Sequence, residues 1–481
     1  MNLNNKNLLK NAAYIDGSWV SGTHTFDVLN PANGLKVGEV PDMGTAETKL
    51  AIEVAEQAMP DWAALTAKAR AVVLRKWADL MVANADDLAM IMTAEQGKPL
   101  AESKGEVIYG ASFLEWFGEE GKRAYGETIP SPIANARILT IKQPVGVCAA
   151  ITPWNFPSAM ITRKVGPALA AGCSVVCKPA EDTPLSALAL AVLAEEAGVP
   201  AAVFNVVTTS DAATVGKELC DNPIVRKLSF TGSTEVGKIL MAQCAGTMKK
   251  LSLELGGNAP FIVFDDADID AAVEGAVICK YRNAGQTCVS ANRFFVQEGV
   301  YDEFADKLAA KVKDFKVGDG AEEGTVIGPL INLKAVEKVK DHVKDAISKG
   351  GEIILGGGEH SLGGTFFEPT VVKNVTTEMK FSQEETFGPL APLFKFKNEK
   401  EAISLSNSTK YGLAAYFYSR DIGRVWRVAE ALEFGMVAVN TGILSTEVAP
   451  FGGIKESGVG REGSKYGLDE YLEIKYILMA D

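Results

Sequence analysis

At 481 residues the chain exceeds one ordinary hydrophobic core and has room for two or three domains of roughly 100–200 residues each. Hydrophobic residues make up 47 % and charged residues 23 %, which is a globular rather than a disordered mix. The formal net charge of −13 argues against nucleic acid or an anionic membrane as partner, and an anionic ligand would need local cations to capture it.

The first twenty residues lack the apolar core of a secretory signal, and no run approaches the roughly 18 apolar residues that span a bilayer. Seven cysteines lie scattered without a disulfide-framework spacing. That pattern fits a reducing cytoplasm, with one thiol free to be functional. The only histidines are His24, His342 and His360, none near a ligand cluster, so neither a metal site nor a Ser-His-Asp triad is expected.

Residues 45–125 read as helical, with Ala-, Leu- and Glu-rich periodic segments such as Thr48–Ala58 and Ala69–Ala83. From Gln143 short β-branched runs alternate with helices. The runs are Val145–Ile151, Ser174–Lys178, Val203–Val207 and Val225–Phe230, and the helices follow Pro157, Pro184 and Asp211 and begin near Thr234. Such alternation builds parallel βαβ units and a doubly wound sheet. Lys250–Leu255 reads as a further strand ending in Gly256-Gly257. A second α/β region then runs to about residue 440, with helices near Val300–Val312 and Lys334–Ser348. The final stretch Tyr471–Met479 alternates like a strand but has no partner nearby in sequence, so it is expected to join a distant sheet or another subunit.

One segment, Gly458-Val459-Gly460-Arg461-Glu462-Gly463, matches G-x-G-x-x-G but reads only as a glycine-rich loop. No strand precedes it, and the 18 residues after it are too few for a βαβ unit. The better phosphate site is Thr231-Gly232-Ser233-Thr234, which follows a strand and opens a helix whose free N–H groups favour an anion. Simple N-capping by Ser233 or Thr234 is the alternative there. A second half-site lies where another strand ends, at Lys178-Pro179-Ala180-Glu181. Lys178 and Glu181 could hydrogen-bond an adenosine ribose. A carboxylate at Glu181 would repel a 2′-phosphate, so NAD is the expected cofactor in preference to NADP.

Cys288 stands in the polar stretch Arg282-Asn283-Ala284-Gly285-Gln286-Thr287, unlike Cys148, Cys173, Cys177 and Cys279 in their apolar runs. A nucleophilic thiol also needs donors for an oxyanion and a base for water. Asn155, in Thr152-Pro153-Trp154-Asn155-Phe156-Pro157, could supply the first with the Cys288 N–H. Glu254, flanked by Leu253 and Leu255, could supply the second, since partial desolvation raises a carboxyl pKa toward a useful range.

Taken in order, Pro153-Trp154-Asn155, Lys178-Pro179-Ala180-Glu181, Phe230-Thr231-Gly232-Ser233, Glu254-Leu255-Gly256-Gly257, Gly285-Gln286-Thr287-Cys288 and Glu385-Thr386-Phe387-Gly388-Pro389 resemble the aldehyde dehydrogenase superfamily over nearly the whole chain. The resemblance implies an α/β fold: a doubly wound parallel-sheet dinucleotide-binding domain (1–128 and 148–254), a second α/β catalytic domain (255–455) and a small β oligomerisation element (129–147 and 456–481) that assembles a homo-oligomer, dimer or tetramer. It implies attack of Cys288 on an aldehyde, with an oxyanion held by Asn155, and hydrolysis of a thioester by water activated at Glu254. Thr152, Pro153, Trp154, Lys178, Ala180, Glu181, Thr231, Gly232, Ser233, Leu255, Glu385 and Phe387 would form the NAD or NADP site. Lys178 and Glu473 resemble a proton-exit pair.

Within the superfamily, Trp154–Lys164 and Arg461–Gly467 are most similar to succinate-semialdehyde dehydrogenases. That similarity implies a distal carboxylate bound by Arg163, Arg282 and Ser445, in keeping with the need for local cations. Glutarate semialdehyde, one methylene longer, is the alternative substrate. Two rival readings remain: a coenzyme-A-acylating enzyme, against which Glu254 argues, and a non-catalytic dinucleotide-binding protein. Several relatives carry a second cysteine two places after the nucleophile; here that residue is Ser290.

Overall fold

The computed structural model describes residues 1–480. Its first sheet has eight strands. Lys250–Glu254, Val225–Thr231, Val147–Ile151, Val175–Lys178 and Phe204–Val206 run parallel in that spatial order. Ala13–Ile15 and Ser18–Val20 extend it antiparallel beyond Phe204–Val206. The alternation read from the sequence thus becomes a doubly wound sheet. Chain order reverses between Val147–Ile151 and Val225–Thr231, and the carboxyl ends at such a switch are where ligands bind.

The apolar run Val147–Ile151 is apolar throughout because both its faces are covered. Cys148 and Ala150 pack with Val175 and Cys177 into one core, beneath helices Leu100–Glu120 and Ala159–Ala171. Val147, Ala149, Ile151 and Val176 pack into another, with Val215 and Leu240 from the helices opposite. Helix starts are set by side chains: Asp211 accepts from Thr214 N and Ser233 from Val236 N.

The second sheet has seven strands, in the order Glu352–Leu355, Thr370–Val375, Leu390–Phe396, Ala291–Gln297, Ala259–Val263, Ala414–Tyr418 and Met436–Val439. All its pairings are parallel except the first. A third sheet joins Leu472–Ala480 to Ala136–Pro144 and Thr128–Ile129. The C-terminal run therefore finds a distant sheet of its own chain, nine residues in antiparallel register. Ile474 and Tyr476 stay exposed on it.

The boundary drawn at residue 456 is displaced. Gly458–Val459 pairs antiparallel with Leu253–Glu254 at the edge of the first sheet, and helix Ser464–Asp469 packs on helices Leu100–Glu120 and Ala159–Ala171. Only the strand from Leu472 onward belongs to the third sheet. The G-x-G-x-x-G look-alike is thus spent on an edge strand and the turn after it. No helix among the described residues is long and apolar enough to cross a membrane.

Candidate active site

A cavity of about 370 Å³ opens at the switch point, between the two large sheets. It is lined by Pro153, Trp154 and Asn155, by Thr231, Gly232 and Ser233, by Glu254 and Leu255, by Cys288, and by Glu385 and Phe387. Residues from five separated segments therefore meet in one space. Thr152, Lys178, Ala180 and Glu181 are not in its wall. Thr152 N donates to Lys178 O at 3.1 Å, which ties the two strand ends together.

Close backbone approach shapes this space. A Cβ on Gly232 would collide with the Phe230 ring, and one on Gly257 with the Cys288 carbonyl. Gly257 therefore lets the strand end that carries Glu254 lie against the thiol loop. Gly257 N also donates to Glu385 Oε1 at 2.9 Å, which orients that carboxylate. Trp154 and Phe387 meet edge to face, with ring centroids 5.6 Å apart.

The thiol loop is strained. Asn283, Ala284 and Gly285 lie consecutively in the left-handed region, at φ 52°, 52° and 77°. For the first two this is unfavourable by about 1–3 kcal/mol each. Buried hydrogen bonds hold them there. Asn283 N donates to Glu102 Oε2 at 2.8 Å, and Gln96 Nε2 donates to Asn283 Oδ1 at 3.0 Å. Asn283 Nδ2 in turn donates to the Asn155 carbonyl at 3.1 Å. Asn155 Nδ2 donates to Gln286 O at 3.0 Å, which uses one of its two N–H bonds and leaves the other for the cavity. The Cys288 N–H has no acceptor among the described residues, so two donors are free near the thiol.

Behind Asn155 lies an ion pair that sequence reading missed. Buried Lys98 Nζ donates to the Asn155 carbonyl at 2.6 Å and to Glu106. The other Glu106 oxygen accepts from Ser158 N and Ala159 N at the start of the next helix. Lys98 and Asn155 are 57 residues apart. Nothing in the run around Lys98 marks it as buried.

Burial dominates the electrostatics. It pushes the Cys288 thiol up to about 12, with help from Glu385 and Glu254, while Arg163 and Arg282 pull it down. Burial and the neighbouring Glu462 raise Glu254 well above the usual carboxylate range, and neither of its oxygens has a hydrogen-bond partner. Burial lifts Glu385 to about 7.

The expected pairing of Lys178 with Glu473 is not formed. Lys178 pairs with Glu181 at 3.1 Å, and Glu473 is exposed on the third sheet opposite Gln143. The lysine–glutamate pair beside Glu254 is Lys164 with Glu462. Lys164 also donates to Thr231 Oγ1 at 2.6 Å, linking the surroundings of Glu254 to the start of the helix at Ser233. Both residues lie inside segments singled out from sequence, but 298 positions separate them and no spacing announces the contact.

Arg282 and Ser445 come together in a small recess with Thr287, behind the thiol loop. Arg163 is fully buried and lies within 2.8 Å of Glu462. Its guanidinium stacks over Phe113 and Phe451, at 5.0 and 4.2 Å from the ring centroids.

Residues 19–477 match the aldehyde dehydrogenase family. The chain belongs to that family. Glutarate-semialdehyde dehydrogenase of Pseudomonas aeruginosa is 64 % identical over all of this chain and 99 % of its own. The NADP-dependent succinate-semialdehyde dehydrogenase of Escherichia coli is 63 % identical, over 99 % of each chain. A crystal structure of succinate-semialdehyde dehydrogenase from Burkholderia pseudomallei superimposes with a TM-score of 0.99 at 63 % identity, covering each chain completely. The protein is thus an NAD(P)-dependent aldehyde dehydrogenase with the fold of that family, as the sequence resemblance implied.

As an aldehyde dehydrogenase it has a single thiol at the cavity. Ser290 is buried, its hydroxyl donating to Lys280 O at 3.4 Å. Cys279 is also buried and receives the Ala291 N–H on its sulfur at 3.3 Å. Peroxide is therefore expected to oxidise Cys288 without joining it to a neighbour. Peptide mapping after peroxide treatment should find no intramolecular disulfide at Cys288; finding one, with activity restored by dithiothreitol, would contradict this.

Proposed function

We propose that this enzyme oxidises succinate semialdehyde to succinate through a thioester on Cys288. The observation that carries the reading is the grouping of Arg282 and Ser445 in one recess beside the thiol loop, with Arg163, buried against Glu462, Phe113 and Phe451, as the second guanidinium. A carboxylate tail is what two guanidiniums and a hydroxyl select, and the net charge of −13 leaves capture to such a local device.

Cys288 forms a bond to the aldehyde carbon, and the oxygen of the resulting tetrahedral adduct lies between the free Asn155 N–H and the Cys288 backbone N–H. The Lys98–Glu106 pair holds the Asn155 backbone in place for this. Bound oxidised nicotinamide would supply the acceptor for the hydride whose loss turns this adduct into the thioester, and a positive charge that favours the thiolate. Glu254 then takes a proton from the water that attacks the thioester, and carboxylate and thiol are released. Glu462 and Lys164, paired with each other, lie beside Glu254.

The cavity suits a dinucleotide. Trp154, Phe387 and Leu255 offer apolar walls, the helix beginning after Ser233 offers free N–H groups, and Glu385 offers a fixed carboxylate for a ribose. Glu181, paired with Lys178 at 3.1 Å, and the adjacent Asp182, raised to about 6 chiefly by burial, are two carboxyls at the strand end beyond Lys178 that would oppose a 2′-phosphate. NAD is accordingly the preferred cofactor. Glu181→Ser should raise kcat/KM for NADP at least about tenfold while lowering that for NAD; a wild type already favouring NADP would refute the preference.

Glutarate semialdehyde is the second reading, favoured by the relative of that name. One methylene is worth only about 1–3 kcal/mol in a pocket. A steady-state panel of succinate semialdehyde, glutarate semialdehyde and butanal decides. The succinate reading requires the highest kcat/KM for the four-carbon acid, and a preference for butanal would overturn the carboxylate clamp itself.

A further inference from the structure

Tyr109 lies on the buried side of helix Leu100–Glu120 and has no assigned part in the chemistry above. Its ring meets Phe113 edge to face at 4.9 Å, and Phe113 in turn lies under the Arg163 guanidinium. The Tyr109 hydroxyl is buried and has no hydrogen-bond partner. Arg163 is in the same condition: Nε and Nη2 find no aligned acceptor although Glu462 is within 2.8 Å. Tyr109 and the Arg163 guanidinium assigned to the substrate tail thus lie against the same Phe113 ring. Unpartnered buried polar atoms are rare and unfavourable, and several together mark a place that an outside group completes.

We infer that the Tyr109 hydroxyl is a fourth member of the carboxylate clamp, donating a hydrogen bond to the distal carboxylate of the substrate alongside Arg163, Arg282 and Ser445. This rests on the clamp reading of the proposed function. The chemistry is suitable. Burial keeps the phenol protonated at every working pH, so it is always a donor. A neutral donor beside a cation adds direction without further charge, and an uncharged aldehyde gives it no acceptor.

The test is Tyr109→Phe, which keeps the ring and its contact with Phe113 and removes only an unpartnered hydroxyl. With saturating NAD, KM for succinate semialdehyde should rise about 10- to 100-fold while kcat stays within about twofold. The kcat/KM for butanal should stay within about twofold of wild type. Melting temperature without ligand should be unchanged or higher, and the upward shift that succinate gives the wild type should shrink. Equal losses on both aldehydes, or no change on either, would overturn the inference. A wild type that does not favour succinate semialdehyde over butanal would instead show that the clamp reading has failed.

Discussion

Replacing Glu254 with glutamine is expected to leave one fast equivalent of NADH per active site and then to stop turnover. Glu254 ends the strand Lys250–Glu254, buried, with both oxygens unpartnered and Glu462 as the charge that raises it further. A base in that state gains most by accepting a proton from a water that enters late, after the thioester has formed. Glutamine keeps the shape and loses the basicity. Steady-state kcat should fall about 10²- to 10⁴-fold, with a burst amplitude close to one. Cys288→Ala should show neither burst nor turnover, because no covalent step remains. Stopped-flow absorbance separates the two variants. Full steady-state activity in either would remove that residue from the mechanism.

The pH dependence follows from the same groups. Cys288 is pushed up to about 12, so it holds its proton at neutral pH in the ligand-free protein, and burial raises Glu254 well above the usual carboxylate range. Both must be ionised to act. Activity should therefore rise with pH from neutrality, on the side where more of each group is ionised.

The strand–helix alternation after Gln143 was legible because each strand is short, β-branched and covered on both faces. Val147–Ile151 shows this best, with alternate residues entering two different cores. Cys288, Asn155 and Glu254 each had an ordinary local setting and stood out only through the ordered motifs that resemble the family; all three line one cavity. What escaped is long-range. Lys98 meets Asn155, and Lys164 meets Glu462, through contacts that no local period encodes. The polar stretch before Cys288 was legible, but the left-handed Asn283 and Ala284 within it are held by Gln96, Glu102 and Asn155, which no local pattern announces. Pairing Lys178 with Glu473 failed for a related reason. Each residue has an identity suited to proton transfer, yet one ends a strand of the first sheet and the other lies exposed on the third.

Arg282→Leu should convert the enzyme from one that prefers a carboxylate-tailed aldehyde to one nearly indifferent to the tail. Arg282 stands just before the strained loop, half-buried, with its guanidinium 5.0 Å from the Phe156 ring centroid and in the same recess as Ser445. Removing one partner of a desolvated charge pair costs about 2–5 kcal/mol of binding, so kcat/KM for succinate semialdehyde should drop at least about 30-fold. Butanal makes no such pair, and its kcat/KM should hold or improve as the recess becomes apolar. Arg282→Lys should recover only part of the loss, because an ammonium cannot match both carboxylate oxygens as a guanidinium does. The contrast between aldehydes matters because Arg282 also lowers the Cys288 pKa. A loss acting through the thiol would fall on both substrates alike and grow at low pH, whereas a loss acting through the tail falls on one substrate and is flat with pH. Equal losses would return Arg282 to the nucleophile and leave the tail to Arg163 and Ser445.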